Sequence, residues 1–164
     1  MARRHAIAII GTSRETEPAV SNARSLGRLI AENLWMLVTG GRNAGVMRAA
    51  NEGAKEVDGS LTIGILPDKE TEISPAVDVA IVTGTGEARN NIIVLSADVV
   101  IACDINDPGT ASEVALALKN QTPVILLNAS AAAQGFFVDI TDERIYIADS
   151  PKAAVELATR LLAN

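Results

Sequence analysis

The sequence predicts an α/β fold with a mainly parallel sheet of about seven strands, and three observations predict it. Short β-branched runs alternate with helical patterns almost from end to end. The apolar fraction of 48% is nearly all aliphatic, with only 2% of residues aromatic. Glycines recur where the apolar runs end. Aliphatic strands of this kind are buried on both faces, and the helices between them imply right-handed crossovers that cover a parallel sheet from both sides. The 164 residues suit one core, and no linker or repeat divides them, so residues 1–164 read as one domain.

Taken in order, the first strand is expected at His5–Ile10. The opening MARRHAIAIIG imitates a secretion signal, but its apolar run stops at Gly11, short of the roughly 7–15 residues such a signal needs. A helix over Glu17–Asn33 leads to a strand at Trp35–Thr39 and a helix over Gly45–Val57. Strands at Leu61–Leu66 and Val77–Val82 flank an irregular loop, Pro67–Pro75, rich in charge and holding two prolines. A helix over Ala88–Ala97, a strand at Asp98–Ala102 and a helix over Thr110–Lys119 follow. Thr110-Ala111-Ser112-Glu113 has the T-x-x-E spacing of a capping box for that helix. A strand at Pro123–Leu127, a weak helix near Ala129–Gln134, a strand at Arg144–Ile147 and a helix over Pro151–Leu162 complete the chain.

Charge and composition narrow the function. The net charge is −6 and no basic run follows Arg3-Arg4, which argues against long nucleic-acid partners. No segment reaches the ~20 apolar residues of a membrane span. Cys103 is the one cysteine, so there is no intrachain disulfide, and a cytoplasmic protein is expected. It reads as a structural residue, and His5 as an ordinary edge residue.

In a parallel sheet, ligands bind beyond the carboxyl ends of the strands. The turns there are Gly11-Thr12-Ser13-Arg14, Gly40-Gly41-Arg42-Asn43-Ala44-Gly45, Gly84-Thr85-Gly86-Glu87-Ala88-Arg89, and Asp104 to Pro108 with Gly109-Thr110. Four carry glycine and three carry arginine, the two residue types that let a backbone and a guanidinium approach a phosphate. Other phosphate and metal chemistries fit poorly. The first turn lacks GxGxxG, Val46-Met47 stands where a P-loop needs Lys-Ser/Thr, and one histidine and one cysteine make no zinc site. No lysine follows a glycine-rich strand end, so a Schiff-base enzyme has no candidate.

The strings TGGRNAGVMRAANEGA (Thr39–Ala54), TIGILP (Thr62–Pro67), TGTGEARNNIIVLSADVVIA (Thr83–Ala102) and PGTASEVALALKNQTPVILL (Pro108–Leu127) together resemble the SLOG-type Rossmann-like proteins. That group includes the LONELY GUY phosphoribohydrolases, proteins mislabelled lysine decarboxylases, and the molybdenum cofactor carrier proteins. The likeness covers about residues 5–128, and the ARN string with the short chain looks most like the carrier branch. The resemblance implies a Rossmann-like three-layer sandwich and a homodimer or homotetramer. The apolar helices Ala88–Ala97 and Thr110–Lys119 also suggest surface buried between subunits.

The family's GGGxxGLM turn maps onto Gly40, Gly41, Gly45, Val46 and Met47. Its Arg-Lys pair maps onto Arg89 and Asn90, with the lysine replaced. Its PGGxGTxxE survives in part as Pro108 to Glu113, with Asp104-Ile105-Asn106-Asp107 where further glycines would stand. Two functions follow from the resemblance. A phosphoribohydrolase would use Arg89 to hold a nucleoside monophosphate and Glu113 to serve the oxocarbenium-like centre. A carrier of the molybdenum cofactor, or of a nucleotide, needs only a phosphate cradle and neutral amide groups such as Asn90 and Asn91. The altered motifs favour the carrier. The expected phosphate and ligand contacts are Gly11, Ser13, Arg14, Gly40, Gly41, Arg42, Gly45, Val46, Arg89, Asn90, Gly109, Thr110 and Glu113, with backbone amides of the Gly40-Gly41 turn facing the anion.

Overall fold

Alternation within the strands assigns each residue of the sheet to one of two cores. Ile7, Ile9, Leu37, Val99, Ile101, Ile125 and Leu127 face one side, while Ala6, Ala8, Ile10, Val38, Val100, Val124 and Leu126 face the other. Successive side chains of a strand point to opposite faces, so burial of both sets requires a helical layer on each side. The structure is a computed structural model describing residues 3–141 and 143–163.

Seven parallel strands, β1 (Ala6–Gly11), β2 (Met36–Thr39), β3 (Leu61–Leu66), β4 (Val79–Val82), β5 (Val99–Cys103), β6 (Val124–Leu127) and β7 (Ile145–Ala148), pair in the order β4-β3-β2-β1-β5-β6-β7. Helices α1 (Ala19–Glu32), α2 (Gly45–Ala54) and α6 (Pro151–Leu162) cover the first face. Helices α3 (Arg89–Leu95), α4 (Pro108–Lys119) and α5 (Ala131–Asp139) cover the second. This is the three-layer Rossmann-like architecture the sequence predicts. Strand order runs outward from β1 to β4 and then restarts at β5 on the other flank of β1. The crevice beyond Gly11 and Cys103 is therefore the switch point of the sheet, where such folds bind ligands.

The elements match expectation except at their ends. Strands β1, β5 and β7 are shifted one residue onward, β4 starts at Val79 rather than Val77, and α2 stops at Ala54. Helix α3 is shorter than Ala88–Ala97: a single 3-10 turn, Gly86–Ala88, precedes it, and it stops at Leu95 with Ser96 as its C-cap. Helix α5 runs further than Ala129–Gln134, with the Ser130 hydroxyl accepting from the Ala133 amide at its start. Helix α4 begins two residues before Thr110, a difference with consequences for the site.

Helices α1 and α2 pack with backbones nearly touching. A methyl group on Gly27 would strike the Ala50 carbonyl, and one on Gly53 the Arg24 carbonyl. Arg24 then pairs with Glu52 and Glu56 across the crossing, at 3.2 and 2.7 Å. The opposite layer is less covered. Ile92 and Leu95 of α3, Phe136 and Val138 of α5, and Val79, Ile81 and Val82 of the edge strand β4 are exposed. Helix α4, expected to show an apolar surface, has no large hydrophobic residue in that exposed set. No helix of the described residues is long and apolar enough to cross a membrane.

Candidate functional site

The turns after β1 and β2, the start of α3 and the start of α4 converge on one cleft at the switch point. Its space is about 90 Å³, room for a handful of waters. Gly11, Ser13, Gly40, Arg42, Arg89, Asn90, Gly109, Thr110 and Glu113 line it, as do Ile9, Ile10, Met47, Glu87 and Asp107. The structure thus brings most of the sequence-predicted residues together. Arg14, Gly41, Gly45 and Val46 are not on the lining, and Asn91 instead accepts a hydrogen bond from Asn120 at 3.2 Å.

The β2–α2 turn uses its amides internally. Gly41 N donates to the Thr39 hydroxyl at 3.1 Å, and that hydroxyl also receives Asn51 Nδ2 at 3.2 Å. Asn43 N donates to the Glu72 carbonyl, and the Gly41 carbonyl accepts from Ser74 N, which ties the turn to the Pro67–Pro75 loop. Gly45 N donates to Glu15 Oε1 at 2.8 Å, and Val46 N to the Thr12 carbonyl at 3.0 Å. Glu15 is further held by Arg48 at 2.7 Å. A carboxylate of the chain itself therefore occupies the positive end of α2, where the sequence reading placed an external anion. The amides of Gly41, Gly45 and Val46 are already partnered, and these residues shape the turn.

Shape is what its glycines supply. Gly41 and Gly45 adopt φ of +71° and +50°, and a methyl on Gly45 would come within 2.6 Å of the Ser13 carbonyl carbon. Gly40 admits the arginine: a side chain there would collide with the Arg89 guanidinium and with Met47 Sδ. Gly11 likewise leaves room for Val46, which is fully buried.

The side chains on the α3 and α4 side of the cleft have fewer partners. Arg89 is 4% exposed, and its Nη1 donates to the Ile65 carbonyl at 3.1 Å, but its buried Nε has no acceptor. Burial lowers its pKa, opposed by the negative charges of Glu113 and Glu87. Asn90 Oδ1 is buried without a donor. Across the cleft, Arg42 pairs with Glu87 at 2.8 Å while its Nε is also left unpartnered.

Glu113 is not part of a capping box. The cap of α4 is Asp107, whose carboxylate accepts from Thr110 N at 2.9 Å and from Thr110 Oγ1 at 2.8 Å. Pro108 fits at the start of the helix because it has no amide to lose. With the helix starting two residues early, Glu113 lies beyond the first turn and faces the cleft. Among the described residues its carboxyl makes no hydrogen bond and no ion pair. Burial pushes its pKa up to about 8, against the pull of Arg89 and with Asp107 and Glu87 adding to the rise. Asp107, which stands where the family motif would have a glycine, is engaged by the helix it caps.

The residues the sequence analysis missed are Ile9, Ile10, Met47, Glu87 and Asp107. Glu87 stands within the GTGEAR string and Asp107 immediately before Pro108, so residue type and spacing offered both. Cys103 is buried behind the cleft with its thiol pushed up to about 12 by burial, which keeps it protonated and unreactive. The four lysines are absent from the lining. No group of His, Cys, Asp and Glu among the described residues could hold a metal ion.

An open parallel sheet with arginine-lined space at its switch point defines a small-ligand-binding protein of the Rossmann-like class. More particularly, the chain belongs to the SLOG cluster4 family, which it matches over residues 4–155. It is 39% identical over 137 residues to an uncharacterized protein of Archaeoglobus fulgidus, covering 84% of this chain and 89% of that one. Two solved structures are similar throughout. The molybdenum cofactor binding protein of Rippkaea orientalis is 52% identical, with a TM-score of 0.94 and 99% of both chains covered. The molybdenum cofactor carrier protein of Chlamydomonas reinhardtii is 44% identical, with a TM-score of 0.92 over 98% of this chain and 100% of that one.

Proposed function

We propose that this chain is a carrier that holds the molybdenum cofactor as cargo in the switch-point cleft, through side chains rather than backbone amides. The observation that carries this is the pair of buried guanidinium Nε groups, of Arg42 and Arg89, left without acceptors on the lining of one cleft. Buried donors are expected to have partners, and a phosphate supplies several acceptors suited to guanidinium groups. Similarity along the whole chain to two proteins named for molybdenum cofactor binding or carriage supports this choice of cargo.

One observation favours the phosphoribohydrolase reading: a buried carboxyl, Glu113, beside a buried arginine. Its ionisation argues against it. Burial pushes its pKa up to about 8 and so favours the protonated carboxyl at neutral pH, whereas stabilising an oxocarbenium-like centre needs the carboxylate.

The test mixes the protein anaerobically with cofactor released from a molybdoenzyme and measures the pterin retained after gel filtration by its fluorescence on oxidation. Retention near one pterin per chain is expected, with no free base released from adenosine or cytokinin monophosphates. Failure to retain pterin, or steady release of base, overturns the reading.

The carrier also reads as a homodimer or homotetramer. The exposed Ile92 and Leu95 of α3 and the uncovered apolar strand β4 support assembly. Light scattering at micromolar concentration should give at least a dimer mass, and a monomer mass overturns it.

A further inference from the structure

A phosphate explains only part of the cleft. It supplies acceptors for a guanidinium Nε–H, but a fully ionised phosphate cannot satisfy Asn90 Oδ1, an acceptor buried without a donor on a side chain that is 6% exposed. The cleft occupant must therefore bring an N–H group as well as acceptors.

Three side chains of the lining define the pattern it must match. Arg89 and Asn90 are consecutive at the start of α3 and present, respectively, a free donor and a free acceptor. Glu113 of α4 adds a carboxyl with no hydrogen-bond partner among the described residues, 8% exposed on the same lining, whose carbonyl oxygen is a second acceptor in either protonation state. Donor, acceptor, acceptor on the protein calls for acceptor, donor, donor on the ligand. A cyclic C=O, its neighbouring ring N–H and an adjacent exocyclic amino group provide that sequence on one edge.

We infer that Arg89, Asn90 and Glu113 read the 2-amino-4-oxopyrimidine edge of a fused ring, the edge shared by pterins and guanine, while Arg42 at the mouth takes the phosphate. Arg89 Nε–H donates to the ring carbonyl, Asn90 Oδ1 accepts the ring N–H, and the Glu113 carboxyl accepts the amino group. Arg42 is placed for the phosphate because it is the more exposed arginine, its side chain 34% accessible and paired with the solvent-facing Glu87. Adenine reverses the order at the first two positions and leaves Asn90 or Arg89 facing a like group. Sites built to hydrogen-bond a polar edge reject analogues that leave buried groups unpaired more strongly than apolar pockets reject a change of size. The assignment rests on the cleft being the ligand site of the preceding section and extends it from the phosphate to the ring.

The test is calorimetric titration of the full-length protein with GMP, IMP, AMP and inorganic pyrophosphate. GMP should bind at least tenfold more tightly than AMP, with IMP, which lacks the amino group, between them. Asn90→Leu should bring the GMP and AMP affinities within about twofold while pyrophosphate binding is unchanged. Equal affinities of the wild-type protein for GMP and AMP overturn the ring assignment whatever pyrophosphate does. Retained discrimination in Asn90→Leu overturns the role of Asn90. Failure of pyrophosphate to bind while GMP still outbinds AMP overturns the anion reading instead and leaves the ring assignment standing. Absence of all binding overturns both.

Discussion

Two glycine-marked segments face each other across the cleft, and they have opposite hydrogen-bond economies. In the turn from Gly40 to Gly45 the amides of Gly41, Asn43 and Gly45 are engaged within the protein, and a carboxylate from Glu15 occupies the helix end behind them. At the start of α3, two consecutive side chains are buried with polar atoms unpaired. Apart from the Arg42 side chain, whose Nε is left unpaired, the first segment resembles a phosphate loop in sequence but serves as a mould. The second has only one glycine-bearing string before it and holds the groups that need a ligand. A glycine-rich turn thus reports how closely chains approach, whereas an unpartnered buried atom reports what is missing.

The largest expected effect separates the two segments. Gly45→Ala puts a side chain into φ of +50° and against the backbone of Thr12 and Ser13, and should cost roughly 2–5 kcal/mol of stability in chemical denaturation. Arg89→Ala removes a desolvated cation and should change stability by less than Gly45→Ala. It should nevertheless bring the GMP and AMP affinities within a few-fold of each other and move the Glu113 titration upward from about 8, because the arginine favours the ionised carboxyl. Comparable stability losses in both variants would erase the distinction between mould and ligand-holding side.

A smaller effect follows from Glu113. Its folded pKa lies above the unfolded value, so the folded state binds the extra proton between about 4.5 and 8, and stability falls as pH rises through that window before levelling off. Glu113→Gln removes this penalty. The variant should match wild type near pH 4 and exceed it by on the order of 3 kcal/mol at pH 7. A capping role would give the reverse, a loss present at neutral pH. The smallest effect concerns the mouth. Glu87→Gln removes a mostly exposed partner of Arg42, should alter stability by less than about 1 kcal/mol, and should tighten pyrophosphate binding a few-fold by freeing the guanidinium. Weaker binding would place Glu87 among the groups that hold the ligand.

The architecture was legible because aliphatic runs, helix lengths and glycine positions all point to one sheet, and the convergence of turns follows from strands running parallel. The cleft was legible in composition, since Arg42, Arg89, Asn90 and Glu113 stand in turns the sheet brings together. Its chemistry was less so. Thr110 and Glu113 satisfy the spacing of a capping box, but Asp107 competes for the same amide, is fixed by Pro108, and wins. That one-turn competition decides whether Glu113 is a structural residue or a buried free carboxyl. Glu15 closes on Gly45 from 30 residues away, and nothing in the local sequence of either announces the bond. Arg42 and Glu87, 45 residues apart, are the same case.

The near contact of α1 with α2 has a mechanical consequence. Gly27 and Gly53 leave no slack between the two backbones, and the turns that lead into these helices are bonded to each other through Thr12, Glu15, Gly45 and Val46. That wall of the cleft is a closely bonded block. The facing side joins the start of α4 to a single 3-10 turn and the seven-residue α3, tied to Arg42 at the rim by one surface ion pair. The cleft is thus built asymmetrically, with the α1–α2 block as its closely braced side and the α3 start as its lightly tied one.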